Sequence, residues 1–163
     1  MTEIENKILK ILSENARYST EDLASMLGIS EKEVDDTIEN LENNHIICGY
    51  PAIIDWDKVS HDTVTALIEI KVTPQKTAGF EEIAETVTNC PEVESVYLMS
   101  GAYDFCVTVK GHTFKDVAMF VAKRLAPMDG VISTATHFVL RKYKEVGTVL
   151  ENAKADDRGM FLL

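Results

Sequence analysis

Three helix-start signals follow one another in the first 33 residues, and nothing else in this chain limits its fold as strongly. Thr2 with Glu5, Ser19 with Asp22 and Ser30 with Glu33 are capping boxes, in which an N-cap hydroxyl and a carboxylate three residues on satisfy each other's backbone amides. Behind each lies an apolar stripe at helical spacing: Ile4, Ile8, Ile11 and Leu12, then Leu23, Ala24 and Leu27, then Val34, Ile38 and Leu41. The stripes alone suit a plain three-helix bundle equally well. Gly28 tips the balance, because it ends the second helix where a left-handed residue is wanted and leaves a short turn before Ser30, the signature of a helix-turn-helix. His45 falls where the third helix should stop, and histidine tolerates positive φ better than most residues.

Beyond that module the periodicity changes. Ile46 to Asp55 is apolar and β-rich and reads as a strand and linker, and the polar stretch Trp56 to Asp62 reads as a loop and domain boundary. From Thr63 to Val72 the residues alternate, with Val64, Ala66, Ile68, Ile70 and Val72 on one face and Thr63, Thr65, Glu69 and Lys71 on the other. After Pro74, the residues Phe80, Ile83, Ala84 and Val87 recur at helical spacing. Strands over Val93 to Met99 and Phe105 to Val109 flank the turn Ser100 to Asp104, a helix spans about Thr113 to Leu125, and a last strand spans Val131 to Leu140. The order βαββαβ predicts a ferredoxin-like antiparallel sheet with both helices on one face. Leu67 and Val139 fall among polar residues on the open face, which predicts homodimerisation through the sheet. In the tail, Val146, Val149 and Leu150 suit part of a docked helix. Disorder is expected of the polar run Asn152 to Gly159, and the apolar end Met160 to Leu163 could dock on a neighbouring subunit.

Charge and cysteine usage narrow the setting. Sixteen bases against 27 acids give a net charge of −11, which argues against indiscriminate attraction to nucleic acid or anionic membrane. Cys48, Cys90 and Cys106 are an odd number at wide spacing inside apolar stretches, as expected of buried free thiols in a reducing compartment. No apolar run approaches the roughly 20 residues of a membrane span, and the first residues carry no secretory or lipidation signal, so the expected location is the cytoplasm, with no membrane partner.

Four stretches, KILKILSENARYSTEDLASMLGIS, IICGYPAIID, SGAYDFCVTV and GVISTATHFVL, stand in the order and at the spacing found in the Lrp/AsnC (feast/famine) transcriptional regulators, which this chain resembles over about residues 3 to 145. The resemblance implies an α+β protein: a winged helix-turn-helix over 1–50, a strand and linker over 51–62, an effector-binding and oligomerisation domain over 63–145, and a tail over 146–163. It implies operator DNA as one partner, a small effector, usually an amino acid, as another, and dimers that often assemble as tetramers of dimers. It further implies that the hairpin loop, here Ser100, Gly101, Ala102, Tyr103 and Asp104, and the start of the last strand, here Ile132, Ser133, Thr134 and Thr136, hold the effector between neighbouring subunits. Those residue types suit the task. Loop amides can hold an α-carboxylate, Gly101 permits close backbone approach, and Asp104 or the threonine hydroxyls can accept from an α-ammonium. An aspartate at such a position also commonly caps its own loop, so Asp104 could support the site without touching a ligand.

The DNA side is less conventional. A third helix entering the major groove would turn outward Lys32, Glu33, Asp36, Glu39, Asn40 and Asn43, and from Ser30 to Glu42 one base stands against six acids, a net −5. Residues Met1 to Tyr50 hold four bases and eleven acids, net −7. Phosphate contacts ordinarily need donors, and Thr37 stands where the resemblance implies arginine. Helix N-termini can donate amides to phosphate, and acidic side chains can accept from cytosine. The candidate DNA-contacting set is therefore Arg17, Tyr18, Ser19, Ser30, Glu31, Lys32, Glu33, Asp36, Thr37 and Asn40, with DNA affinity expected to be weak or ligand-dependent. Two alternatives stand beside the regulator. One is an effector sensor whose helix-turn-helix has become an assembly module. The other is an enzyme like the sirohaem decarboxylases, which resemble this family in architecture. Neither G-x-S-x-G, P-loop, H-E-x-x-H nor a Cys/His cluster at metal spacing occurs, and His45, His61, His112 and His137 are scattered, which predicts no catalytic residue, no cofactor and no metal.

Overall fold

The computed structural model describes residues 1–59, 63–73 and 80–150. The chain divides into two compact units, Met1–Ala52 and Ile53–Leu163. The first holds α1 (Glu3–Glu14), α2 (Thr20–Leu27) and α3 (Glu31–Asn43). Thr2 and Ser19 form complete capping boxes with Glu5 and Asp22. At Ser30 only half of the expected box is made: its hydroxyl accepts from the Glu33 amide at 3.2 Å, without the return bond from the Ser30 amide to the Glu33 carboxylate. Ile8, Leu23, Val34 and Leu41 are the fully buried centre of this unit, with Ile4, Ile11, Leu12, Leu27 and Ile38 packed around them. Gly28 has φ +68° at the turn, and helix α2 ends there as the sequence predicts.

The end of α3 follows a Schellman pattern. The Ile46 amide donates to the Leu41 carbonyl at 2.9 Å and the His45 amide to that of Glu42 at 2.9 Å, with His45 at φ +56°. A non-glycine residue in that conformation is strained, so His45→Gly is expected to raise stability by about 0.5–1 kcal/mol, read as a higher chemical-denaturation midpoint with unchanged slope. Ile46 to Asp55, read from sequence as strand and linker, forms no ladder: it runs across the boundary between the units, and the described residues of the first unit hold no strand for it to pair with. Trp56–Lys58, expected as loop, is a short 3-10 turn closed by an ion pair of 3.3 Å between Asp55 and Lys58. Cys48 is exposed rather than buried, because it lies on this unpaired segment, whereas Cys90 is buried and Cys106 half-buried.

The second unit runs β1 (Val64–Val72), α4 (Phe80–Thr88), β2 (Val93–Leu98), β3 (Phe105–Gly111), α5 (Phe114–Phe120), β4 (Val131–Phe138), β5 (Lys144–Glu145) and β6 (Thr148–Val149). The four long strands form one antiparallel sheet in the order β2-β3-β1-β4, the βαββαβ topology expected. Ala66, Ile68, Ile70 and Val72 point to the helix side with Phe105, Val107 and Val109, and bury Ile83, Val87, Val117, Phe120 and Leu125 against the sheet. Each large apolar side chain so buried contributes about 1.5–3 kcal/mol, which is why the strand alternation fixes the register. The last helix reaches Leu125, as the sequence predicts, but α5 widens after Phe120 into a π turn over Val121–Leu125, in which the Ala126 amide reaches back five residues to the Val121 carbonyl at 2.8 Å.

The tail also departs from expectation. Val146 and Val149 belong to a two-stranded hairpin, not to a helix. Val146 (φ +43°) and Gly147 (φ +79°) are the two central residues of its turn, and positive φ at both is the pairing a tight hairpin favours. The expected disorder over Asn152 to Gly159 and docking of Met160 to Leu163 lie outside the described residues. None of the helices of the described residues is long and apolar enough to cross a membrane.

Candidate DNA-reading face and effector site

The apolar sides of α2 and α3 meet through Leu23, Ala24, Val34 and Leu41, and the Thr20 hydroxyl donates to Asp35 Oδ1 at 2.8 Å across the pair. This leaves Glu31, Lys32, Glu33, Asp36 and Asn40 exposed on the outer side of α3, with Thr37 half-buried. An open groove of about 550 Å³ separates that side from the first turn of α1, lined among others by Glu5, Lys32, Glu33, Asp36 and Asn40. Three acidic residues and one lysine thus stand along it. Lys32 is itself drawn toward Asp36, at 3.8 Å one turn on. The Thr37 hydroxyl turns back to the Glu33 carbonyl at 2.6 Å, so it bonds its own helix, a habit of mid-helix threonine.

The helix N-termini are also partly committed. The Ser19 hydroxyl donates to Asp22 Oδ2 at 2.8 Å and accepts from the Asp22 amide at 3.1 Å, while the Ser19 amide donates to the same carboxylate at 2.9 Å. The Ser19 backbone and hydroxyl hold the Asp22 carboxyl below the usual carboxylate range. A carboxylate therefore already occupies the start of α2, which weakens it as a phosphate site. Arg17 and Tyr18 stand exposed just before it.

At the other candidate site, the β2–β3 loop is held by backbone bonds from both sides. The Met99 amide donates to the Asp104 carbonyl at 2.7 Å, and the Asp104 amide donates to the Ile70 carbonyl at 3.0 Å. Asp104 Oδ2 accepts from the Val72 amide at 2.8 Å, so this carboxylate prolongs the β1–β3 pairing past its last residue pair, Ile70 and Phe105. On the opposite flank of β1, the Thr73 amide donates to the Gly130 carbonyl at 2.8 Å, and Gly130 has φ +86° where β4 begins. The end of β1 thus lies between Ser100 to Asp104 and the start of β4, bringing Ile132 and Ser133 to the same end of the sheet. Gly101 lacks positive φ, and a Cβ there would meet nothing within 4 Å, so the fold itself does not demand glycine.

The remaining candidates divide by face. Ser133 pairs with Lys71 on the open side, whereas Thr134 and Thr136 pair with Ile70 and Ile68 and turn half-buried toward the helices. The backbone groups of Val72, Thr73 and Gly130 were not singled out from sequence. Only the pairing of distant strands places them here.

On the open side of the sheet Leu67 is 40 % exposed, Tyr97 57 % exposed, and Cys106 lies opposite Glu69 and Tyr97. Burial, and then Glu69, push the Cys106 thiol up. His137 Nε2 lies 3.3 Å from Glu69 Oε1.

Comparison with known proteins adds to this geometry. A family model described as the AsnC-type helix-turn-helix domain matches residues 1–42, and one described as the Lrp/AsnC ligand binding domain matches residues 65–149. The chain is 49 % identical, over 97 % of its own length and 96 % of the other, to a Bacillus subtilis (strain 168) protein named as the uncharacterized HTH-type transcriptional regulator YugG. Among solved structures, a Neisseria meningitidis transcriptional regulator in complex with L-Met has a TM-score of 0.68 at 23 % identity, covering 99 % of both chains. AsnC of E. coli has a TM-score of 0.66 at 21 % identity, covering 89 % of this chain and 95 % of that one.

Proposed function

Because the chain belongs to the Lrp/AsnC family of transcriptional regulators, a family of regulators and not of enzymes, we propose that it is an amino-acid-responsive regulator whose DNA affinity is conditional. α3 enters the major groove, with Arg17, Tyr18, Ser19, Ser30, Glu31, Lys32, Glu33, Asp36, Thr37 and Asn40 facing or flanking the duplex. The observation that carries this reading is the acidic outer side of α3, on which Lys32 is drawn to Asp36 at 3.8 Å. Such a surface repels phosphate before any base is read, so one copy binds poorly and assembly supplies the rest. A two-fold dimer presents two reading helices to a pseudo-palindromic operator, and the cytoplasm is where it meets one.

The effector is an amino acid, bound where Ser100 to Asp104 and Ile132 to Thr136 of neighbouring copies meet. Three things support this: the shared end of the sheet, a Gly101 that the fold does not demand, and the L-Met complex of the Neisseria regulator. Thr134 lies on the helix side of that end and Ser133 on the open side, with Thr136 further along the helix side opposite Ile68. Thermal denaturation with about 10 mM of each amino acid tests it. A ligand bound only by the folded state raises the midpoint by mass action, by several degrees when present at about 100 times its Kd. If none of the twenty moves the midpoint, the effector reading is wrong.

Dimerisation runs through the open sheet face. That face carries Leu67 and Tyr97 beside Glu69, Lys71 and His137, so a second copy turned by two-fold symmetry can match apolar with apolar and acid with base. Leu67→Asp places a charge there and is expected to weaken the dimer about tenfold or more in sedimentation, with the helix content of circular dichroism unchanged. An unaltered dissociation constant would move the interface elsewhere.

A further inference from the structure

The chain leaves α3 by a route tied to the helix at successive points. After the Schellman closure at His45, the Ile47 amide donates to the Leu41 carbonyl at 3.2 Å, and Ile47 packs on the core of the helix-turn-helix unit. The Cys48 thiol donates to the His45 carbonyl at 3.2 Å. Tyr50, eight residues beyond Glu42, returns to the helix: its phenol donates to Glu42 Oε1 at 2.8 Å. Local capping accounts for the ties at 45 to 47, because the last carbonyls of any helix need donors. It does not account for the Tyr50 bond, which satisfies no helix-end group. It joins a side chain of the outgoing segment to a side chain of the last turn.

We propose that Tyr50 is a positioning residue for α3: by holding Glu42 it fixes the direction in which the chain leaves the reading helix, so operator selectivity depends on a bond that touches no DNA. The proposal rests on the regulator reading above. A reading helix selects sequence only when its side chains meet the base edges in one pose, whereas attraction to phosphates tolerates many poses. Loosening the exit of α3 therefore costs selectivity and spares non-specific binding. Tyr50 is 47 % exposed, and partial burial, then the Glu42 carboxylate, push its phenol up to about 12, so the donor stays protonated throughout the physiological range.

Charge and positioning predict different orders among three variants. Tyr50→Phe removes the donor without changing charge. Glu42→Ala removes the acceptor and a negative charge, and Glu42→Gln removes the same charge but keeps an oxygen that can accept from the phenol. The readout is the ratio of affinities of the full-length protein for the duplex upstream of its own coding region and for a random duplex of equal length, at one salt concentration. Tyr50→Phe and Glu42→Ala are each expected to lower that ratio about fivefold, and Glu42→Gln to keep it within about twofold, as for loss against retention of one hydrogen bond. Equal ratios in all four proteins would overturn the proposal, as would Glu42→Ala and Glu42→Gln shifting together. If the unaltered protein itself shows no preference between the duplexes, the regulator reading falls and this proposal with it. If it shows one that the variants share, only this proposal falls.

Discussion

The variant E33Q/D36N/E39Q is expected to bind its upstream duplex about 30- to 100-fold more tightly than the unaltered protein at about 50 mM salt. Two like charges about 4 Å apart in water repel by about 1 kcal/mol, and at this salt the screening length exceeds 10 Å, so three carboxylates on a helix proposed to enter the groove act together against binding. The substitution has a second effect. Lys32 lies 3.8 Å from Asp36, and losing that partner leaves its ammonium to a phosphate. The fold should tolerate the change. All three positions are exposed, and the core contacts of α3 come from Val34, Ile38 and Leu41. Only Glu33, in the first turn, gives up a favourable position against the helix dipole, worth about 0.3–1 kcal/mol. Fluorescence anisotropy with labelled duplex measures the gain, and a change below threefold would place α3 away from the DNA.

Asp104→Ala is the substitution expected to damage the effector domain most among those considered. Asp104 Oδ2 is the acceptor for the Val72 amide at 2.8 Å, in a part-buried setting at the far end of the β1–β3 pairing. Removing it leaves a backbone donor unpaired, which costs about 1–3 kcal/mol. In a domain of this size that lowers the thermal midpoint by about 5–15 °C. Asp104→Asn keeps an acceptor oxygen and should lose less than half as much. The loop from Ser100 to Asp104 is anchored to β1 through this residue, so the alanine variant is also expected to lose the amino-acid response while retaining the dimer. A midpoint within 1 °C of the unaltered protein would show that Val72 finds another acceptor.

What could be read from the sequence was what local chemistry determines. The caps at Thr2, Ser19 and Ser30, the left-handed Gly28 and His45, and the two faces of β1 each follow from residues within a few positions of one another. The regions misread required knowledge of a partner. Ile46 to Asp55 has the composition of a strand, but the unit in which it begins holds no strand to pair with. Val146, Val149 and Leu150 fit a helical spacing, and the hairpin turn that replaces the helix puts positive φ on Val146 as well as Gly147, a conformation that a β-branched residue does not announce in sequence.

The candidate sites show the same division. Ser100 to Asp104 stood out as a loop, but that the Asp104 carboxylate serves the Val72 amide is a contact across 32 residues. Ser133, Thr134 and Thr136 read as one group, and strand alternation parts Ser133 from the two threonines. On α3 the charge count was legible at once. That the Thr37 hydroxyl bonds the Glu33 carbonyl, and that Asp22 fills the start of α2, reduce further the donors that charge alone had left.

The central claim is that this regulator selects its operator through a reading helix that attracts phosphate poorly. Its most direct test is the salt dependence of specific binding: a titration of the full-length protein with its upstream duplex and with a random duplex, at about 50 and 200 mM salt. A protein making 6–10 phosphate contacts would lose about 10³- to 10⁵-fold in affinity over that range. A clear preference for the upstream duplex is expected at about 50 mM salt, with a loss below about 100-fold on going to about 200 mM. No preference at 50 mM salt would contradict selection of an operator, and a loss above 10³-fold would contradict the acidic reading face.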